Sequence, residues 1–308
     1  MAEGAEIRAR IKSVAETKKV TDAMNMISSV KLRRAKSEVE NTTPYFKALK
    51  EEIGRLFLHI PETSSRYFKV PDPAEGAHMK HGIFLVTSDK GLVGAYNRNV
   101  ISLCEEYIGH HPETVVFILG EYGRQYFASR GIPFVEDFRY SSELPNVWKA
   151  RRICADLLEY FNDGRVDEIN VIYTDYISGR PSMCKRNVLL PLKRSRFASE
   201  KSAEDPTETE FFPDPDTVLS GIIPSYLTGF IYGCLVDSYC AEQQARMNAM
   251  SGASRNAEEM LKELRLRYNG IRQAAITREM TEISSGALAL RKKKAASESK
   301  TEDGPDEK

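Results

Sequence analysis

The chain has no surplus of either charge: its 308 residues hold 44 lysines and arginines against 44 aspartates and glutamates. That balance excludes a dedicated nucleic-acid binder, which carries a basic excess. Tryptophan occurs once, at Trp148, and aromatics make up only 9% of the residues. This is sparse for one large core and in keeping with a chain that is thin coil over much of its length. The five cysteines (Cys104, Cys154, Cys184, Cys234 and Cys240) are odd in number and form no C-x-x-C pair. They read as reduced, buried thiols in a cytosolic-type compartment. No apolar run approaches the ~18 residues of a membrane span; the nearest, Ile222–Val236, is interrupted by Pro224, Gly229 and Gly233. The start MAEGAEIRAR has no hydrophobic signal region. These absences describe a soluble protein that can still sit against something in a membrane.

Two long periodic segments dominate what remains. From Ala245 to Leu290 there is no proline for about twelve helical turns. Leu261, Leu264, Tyr268, Ile271 and Ala275 alternate at spacings of three and four, the seam of a left-handed coiled coil. Ala, Ser and Gly crowd Met247–Ala257, where a partner helix can approach closely. At the other end, Ile7, Ile11 and Val14, then Val20, Met24 and Ile27, make an apolar stripe in a charged run. The expected arrangement is an antiparallel shaft of the two terminal helices carrying a globular body. Pro44 is expected to bend the first helix or restart it after a Thr cap. Asp214-Pro215 is a helix-start signal, and the helix it opens is expected to be disturbed at Pro224. The run to about Ala289 spans roughly 90 Å, far longer than a small domain needs.

Between the helices the period changes. IFLVTS after Gly82, TVVFILG at Thr114–Gly120 and EINVIYTDY read as strands, with a short further strand expected at Pro133–Phe138. Val147–Asn162 reads as an amphipathic helix and Met183–Leu190 as an antiparallel partner of EINVIYTDY. The fold class is therefore α/β: a long antiparallel coiled coil of the N- and C-terminal helices plus a small Rossmann-like α/β domain with a mainly parallel sheet. The expected division is 1–60, N-terminal coil helix; 61–81, linker; 82–197, α/β domain; 198–213, acidic loop; 214–290, C-terminal coil helix; and 291–308, disordered tail.

The loop SDKGLVGAYN, between a strand and a helix, is the one place that invites a nucleotide. Gly91 and Gly94 give only G-x-x-G, without a dinucleotide or P-loop fingerprint. A tight structural turn is the better reading, and no cofactor is expected. The histidines (His59, His78, His81, His110 and His111) fall in linkers and at a helix end, where solvated side chains outnumber ligands. Neither a catalytic set nor a metal set stands out. The basic cluster Lys31, Arg33, Arg34 and Lys36 is, by itself, a solvated helix face.

Three blocks carry a family resemblance: EIRARIKSVAETKKVTDAMNMISSVKLRRAKS, the central VTSDKGLVGAYNRNV and the ending from Glu242 to Ala289, including RQAAITREMTEI. All resemble the gamma subunit of F-type (proton-translocating) ATP synthase. Periodicity alone reproduces a coil but not such strings matched in position at both ends. The resemblance implies a central-stalk rotor that couples ion flow through the membrane c-ring to ATP synthesis or hydrolysis at the beta subunits of an alpha3-beta3 hexamer. It implies a non-catalytic subunit with alpha, beta, epsilon and delta-type subunits and the c-ring as partners, peripheral to the cytoplasmic face of a bacterial plasma membrane. It places Lys31, Arg33, Arg34 and Lys36 where the shaft leaves the ring, facing acidic loops of beta. Arg246, Gln273, Thr277 and Glu279 match positions of a beta-facing catch, and Met24 faces the same region. Ala287–Leu290 match a tip that turns in an apolar sleeve. Val93 stands where many members have Cys, and Phe212 where many have an acidic residue, so a thiol role is absent at that position and the details of the family's c-ring contact do not carry over. The alternatives are a coiled-coil scaffold or adaptor, with interchangeable partners, and an α/β cofactor-binding enzyme with a helical arm.

Overall fold

The structure, a computed structural model, describes residues 2–59, 65–68, 79–193, 197, 212 and 214–298. Most of the expected linker and acidic loop, and the tail beyond 298, lie outside the described residues. The chain order is α1 (Ala2–His59), β1 (His81–Val86), α2 (Tyr96–His110), β2 (Val115–Leu119), α3 (Glu121–Ser129), α4 (Val147–Asn162), β3 (Glu168–Asp175), β4 (Met183–Leu190) and α5 (Pro215–Glu298). It divides into two compact units, one formed by the chain ends up to Ala23 and from Ser251, the other by Met24–Met250.

In the first unit the two terminal helices run antiparallel in one register. Arg8 lies over the ring of Tyr268 and donates to its hydroxyl. Lys18 pairs with Glu258 at 3.9 Å, and Ser254 donates to Asp22. Stepping from Asp22 to Lys18 to Arg8 moves the partner from Ser254 to Glu258 to Tyr268, residue for residue. Leu261, Leu264, Ala257 and Thr21 are buried at 7% exposure each. Ile7, Ile11, Val14, Tyr268 and Ile271 are half-buried, and Ala275 is exposed. Burial therefore fades toward the end of α5. On α1 the buried register passes through Lys18 and Thr21, not Val20, which is 58% exposed. The expected stripe fails there because one residue is roughly 100° of helix rotation. The same offset leaves Ile27, at 55%, outside while its neighbour Ser28, at 2%, is inside.

The second unit is built on a four-stranded sheet of order β2-β1-β3-β4. β1 pairs in parallel with β2 and β3, and β4 closes the sheet antiparallel to β3. Because side chains alternate along a strand, Phe84 and Val86 enter the core shared with α4 and α5, whereas Ile83 and Leu85 meet α2 and α3. Both faces are covered, so the strand reads as a continuous apolar run. No strand forms at Pro133–Phe138. Val135 makes one bond to the carbonyl of Val116, and Arg124 takes the carbonyls of Phe138 and Glu136 at 3.0 and 2.8 Å. A proline at the start of the segment lacks the N–H that a ladder needs.

α5 is capped by Asp214, whose carboxylate accepts from the Thr217 N–H at 2.9 Å and its hydroxyl at 2.7 Å. Pro44 and Pro224 both lie inside continuous helices, so α1 does not restart at Pro44 and α5 is not broken at Pro224. An interior proline costs about 3 kcal/mol. Around Pro224, Ile223, Tyr226 and Leu227 are all buried, and each contributes about 1.5–3 kcal/mol, so packing wins. Gly229 lets α5 and Phe46 of α1 close together: an added Cβ would sit 1.9 Å from the Phe46 ring. α5 continues past Leu290 through Arg291 and Lys292 to Glu298. It also holds an 18-residue stretch apolar enough by composition to match a membrane span, with mean hydropathy 1.5, which the broken run Ile222–Val236 did not suggest. That stretch is 56% buried within the protein, and serves as its core helix.

Leu264→Asp places a charge in the most buried part of the helical unit, and an unpaired buried charge costs several kcal/mol. The variant is expected to melt well below wild type by thermal circular dichroism, whereas Val20→Asp is expected to melt within a few degrees of it. Equal melting temperatures for Leu264→Asp and wild type would contradict the seam.

Candidate partner interface

The residues singled out from the sequence fall into two groups. Gln273, Thr277 and Glu279 lie on the exposed part of α5 in the helical unit, where Thr277 donates to the carbonyl of Gln273 at 2.9 Å. Around them Ile276, Met280, Ile283, Leu288 and Leu290 are between 48% and 71% exposed. Met24, Lys31, Arg33, Arg34, Lys36 and Arg246 belong to the α/β unit.

Arg246 is not a free surface cation. It is 8% exposed, and its Nη1 donates to the Glu242 carboxylate at 2.7 Å. Nη2 points at the carbonyls of Lys90 and Gly91, 3.4 and 3.5 Å away. Glu242 is 3% exposed, and burial pushes its carboxyl up against the opposing pull of Arg246. One turn of α5 thus grips the loop after β1. That loop is shaped by Leu92 and Gly94, both with positive φ, 62° and 58°. Ser88 donates to the Lys90 carbonyl at 2.7 Å, and Asn97 joins the loop to α2 through Ser88.

Asp89 ties the same loop to its other neighbours. Its carboxylate accepts from the backbone N–H groups of Ser142, Glu143 and Glu121, at 3.0, 3.3 and 3.1 Å, and from the Ser141 hydroxyl. Burial is the largest single influence and pushes its acidity down, yet these hydrogen bonds together outweigh it and hold the carboxyl below its ordinary value. The anion position that a helix N-terminus offers is therefore filled at α3 by the chain's own carboxylate. Nearby, Glu143 sits 3.8 Å from both Lys31 of α1 and Lys90. Met24, Lys31, Gln243 and Arg246 line a pocket of about 130 Å³. Gln243 is 1% exposed, and its side-chain oxygen has no hydrogen-bond partner among the described residues.

The basic cluster does not form one solvated face. Lys31 is held by Glu143, and Lys36 sits over the Tyr176 ring, 5.1 Å from its centre. Arg33 is exposed, as is Arg34, which pairs with Glu38 one turn away at 3.2 Å. His110 and His111 stand at a helix end, as expected, whereas His81 is not in a linker. His81 opens β1, and its ring lies 4.1 Å from that of His111 at the end of α2. Tyr107 and Glu168 approach its Nδ1 at 2.9 and 3.5 Å. Among the described residues, no group of three or more His, Cys, Asp or Glu side chains is arranged to hold a metal.

The chain matches the family model described as ATP synthase over residues 3–290. The ATP synthase gamma chain of Ruminiclostridium cellulolyticum is 37% identical over 292 residues, covering 92% of this chain and 98% of that one. The sodium-ion-specific ATP synthase gamma chain of Acetobacterium woodii is 34% identical over 300 residues, with coverage of 92% and 98%. The chain belongs to the ATP synthase gamma-chain family.

A chain of the Euglena gracilis mitochondrial ATP synthase, in an assembly of OSCP, F1 and c-ring, superposes with a TM-score of 0.65 at 14% identity, covering 95% of this chain and 96% of that one. A chain of the Tetrahymena thermophila central stalk and c-ring gives 0.54 at 19%, covering 76% and 99%. Both likenesses are of fold. As a gamma chain the protein is a subunit of the ATP synthase central stalk, which is peripheral to the membrane.

In this gamma chain, Arg246 and Gln273 stand in unlike surroundings, and truncating them has unlike costs. Arg246→Ala leaves Glu242 buried and unpaired, and breaking a buried pair costs about 3–5 kcal/mol. Gln273→Ala removes an exposed side chain and shifts stability by no more than about 0.5 kcal/mol. Denaturant unfolding of the two variants checks this; an Arg246→Ala midpoint equal to that of Gln273→Ala would contradict the buried pair.

Proposed function

We propose that this gamma chain is a rotor, and that its own residues do no chemistry. The end of α5 turns inside a ring of alpha and beta subunits. The α/β unit, with epsilon and a delta-type subunit in the assembly, connects to the c-ring of the membrane sector. Ion flow turns the c-ring and the stalk together, and the stalk presents a different face to each beta subunit in turn. Nucleotide affinity at beta then changes with angle, which is differential binding of conformational states by a mobile partner. The protein works at the cytoplasmic face of a bacterial plasma membrane, and the relatives it matches are bacterial gamma chains. One of them is sodium-specific, so family membership is compatible with sodium as well as protons.

The observation that carries this reading is the exposed apolar run on α5, from Ile276 to Leu290, within a chain matched to its relatives along 98% of their length. A helix of a self-contained domain buries its apolar stripe. This one leaves large side chains outside, interrupted by Thr277, Thr281 and small residues. Apolar contact without hydrogen bonds leaves little directional preference, and so little barrier to turning. The exposed charges Arg33 and Arg34 suit the same purpose, since screened surface pairs contribute about 0–1 kcal/mol and do not pin one orientation.

The test is a reversible crosslink in the assembled complex. Met280→Cys, paired with a cysteine in the facing beta subunit, is expected to abolish steady-state ATP hydrolysis when the disulfide is formed and to restore it on reduction. Full hydrolysis with the crosslink closed would overturn the rotor reading.

A further inference from the structure

We propose that Asp89 is a positioning residue for torque transfer: its carboxylate fixes the loop after β1, which adds polar attachments of α1 and α5 to the apolar packing that joins these helices to the sheet. This rests on the rotor reading. Within the α/β unit, three polar attachments converge on that loop. Arg246 of α5 reaches the carbonyls of Lys90 and Gly91. Lys31 of α1 reaches Glu143, which also faces Lys90. Asp89 holds the backbone of Glu143 itself, and also Ser142, Ser141 and the first residue of α3. The Asp89 N–H completes the clasp by donating to the Ser142 hydroxyl at 2.9 Å.

A tight turn by itself needs one or two hydrogen bonds. Here one short carboxylate joins three separate segments, and the residue that follows it carries one of the carbonyls α5 grips. The loop has few apolar anchors to replace it. Leu92 is 62% exposed, and Val93, at 2%, is the buried one. If the carboxylate no longer accepts from Ser142 and Glu143, the platform that positions Lys90 and Glu143 can shift while the sheet beneath stays folded. Load on the stalk would then be absorbed by movement of the loop.

The variant is Asp89→Asn in the complete complex, reconstituted in lipid vesicles. The amide has the size of the carboxylate but turns one acceptor into a donor that opposes the backbone N–H groups. ATP hydrolysis and ion uptake are measured on the same vesicles, with a pH-sensitive dye and with labelled sodium. The expected result is hydrolysis within about twofold of wild type and ions taken up per ATP lower by about tenfold, the change in population that one charge-assisted hydrogen bond controls. Ser141→Ala, which removes one donor and keeps the carboxylate, is expected to lie between the two and serves if Asp89→Asn does not assemble. An uptake-to-hydrolysis ratio equal to wild type in both variants overturns the proposal, even if both rates fall together. A wild-type complex that hydrolyses ATP with no uptake of either ion overturns the rotor reading beneath it.

Discussion

The Glu242–Arg246 pair is the constraint on which the arrangement of the α/β unit turns. Two charges taken out of water cost several kcal/mol each, and their attraction repays that only when the remaining donors are also satisfied. Arg246 meets the condition by spending its second terminal nitrogen on the Lys90 and Gly91 carbonyls. A pair of this kind adds little net stability compared with apolar packing. What it provides is specificity, because the guanidinium fits one rotation of α5 about its axis and one conformation of the loop. The apolar core of α5 against β1 and α4 tolerates small shifts that the planar fork does not.

The helical unit is held by a different force. Its buried side chains are few, and small residues let the helices approach. Ion pairs such as Lys18–Glu258 lie at the surface, 3.9 Å apart, where screening leaves them little weight. Its stability comes from Leu261, Leu264 and Ala257 against α1. Beyond them the outward side chains are still large and apolar, from Ile276 to Leu290. An exposed apolar surface of this kind marks a site of interaction, and a subunit of the ATP synthase central stalk has partners to cover it.

Much of this fold is legible in the sequence. Short, largely apolar runs rich in β-branched residues mark IFLV, VVFIL and EINVIYTD as strands, and Val147–Asn162 and Met183–Leu190 coincide with α4 and β4. The misses share one cause, which is that local signals do not see distant partners. Pro224 signals a disturbance in the helix, yet α5 runs on through it, because the burial of its neighbours outweighs the cost of the proline. Pro133–Phe138 has strand composition, but its carbonyls are captured by Arg124. Val20 and Ile27 look like inward-facing residues because they are apolar, whereas their neighbours Thr21 and Ser28 are the buried ones. The site was less legible than the fold. Arg246 is conspicuous only through resemblance, and nothing in its spacing says whether it faces a partner or Glu242. A hint was available: Glu242 and Arg246 are one turn apart, the geometry of a helix ion pair. Asp89 carried no sequence signal for its role, because its acceptors' partners, Glu121 and Ser141–Glu143, are far along the chain.

The buried pair on α5 holds the loop after β1 in place. Amide hydrogen exchange on Glu242→Gln, compared with wild type, tests it most directly. Amides of Ser88–Gly94 are expected to lose protection together with the α5 turn around Arg246, while those of β1 and β3 keep theirs. Unchanged exchange across Ser88–Gly94 in a variant that has lost the ion pair would contradict it.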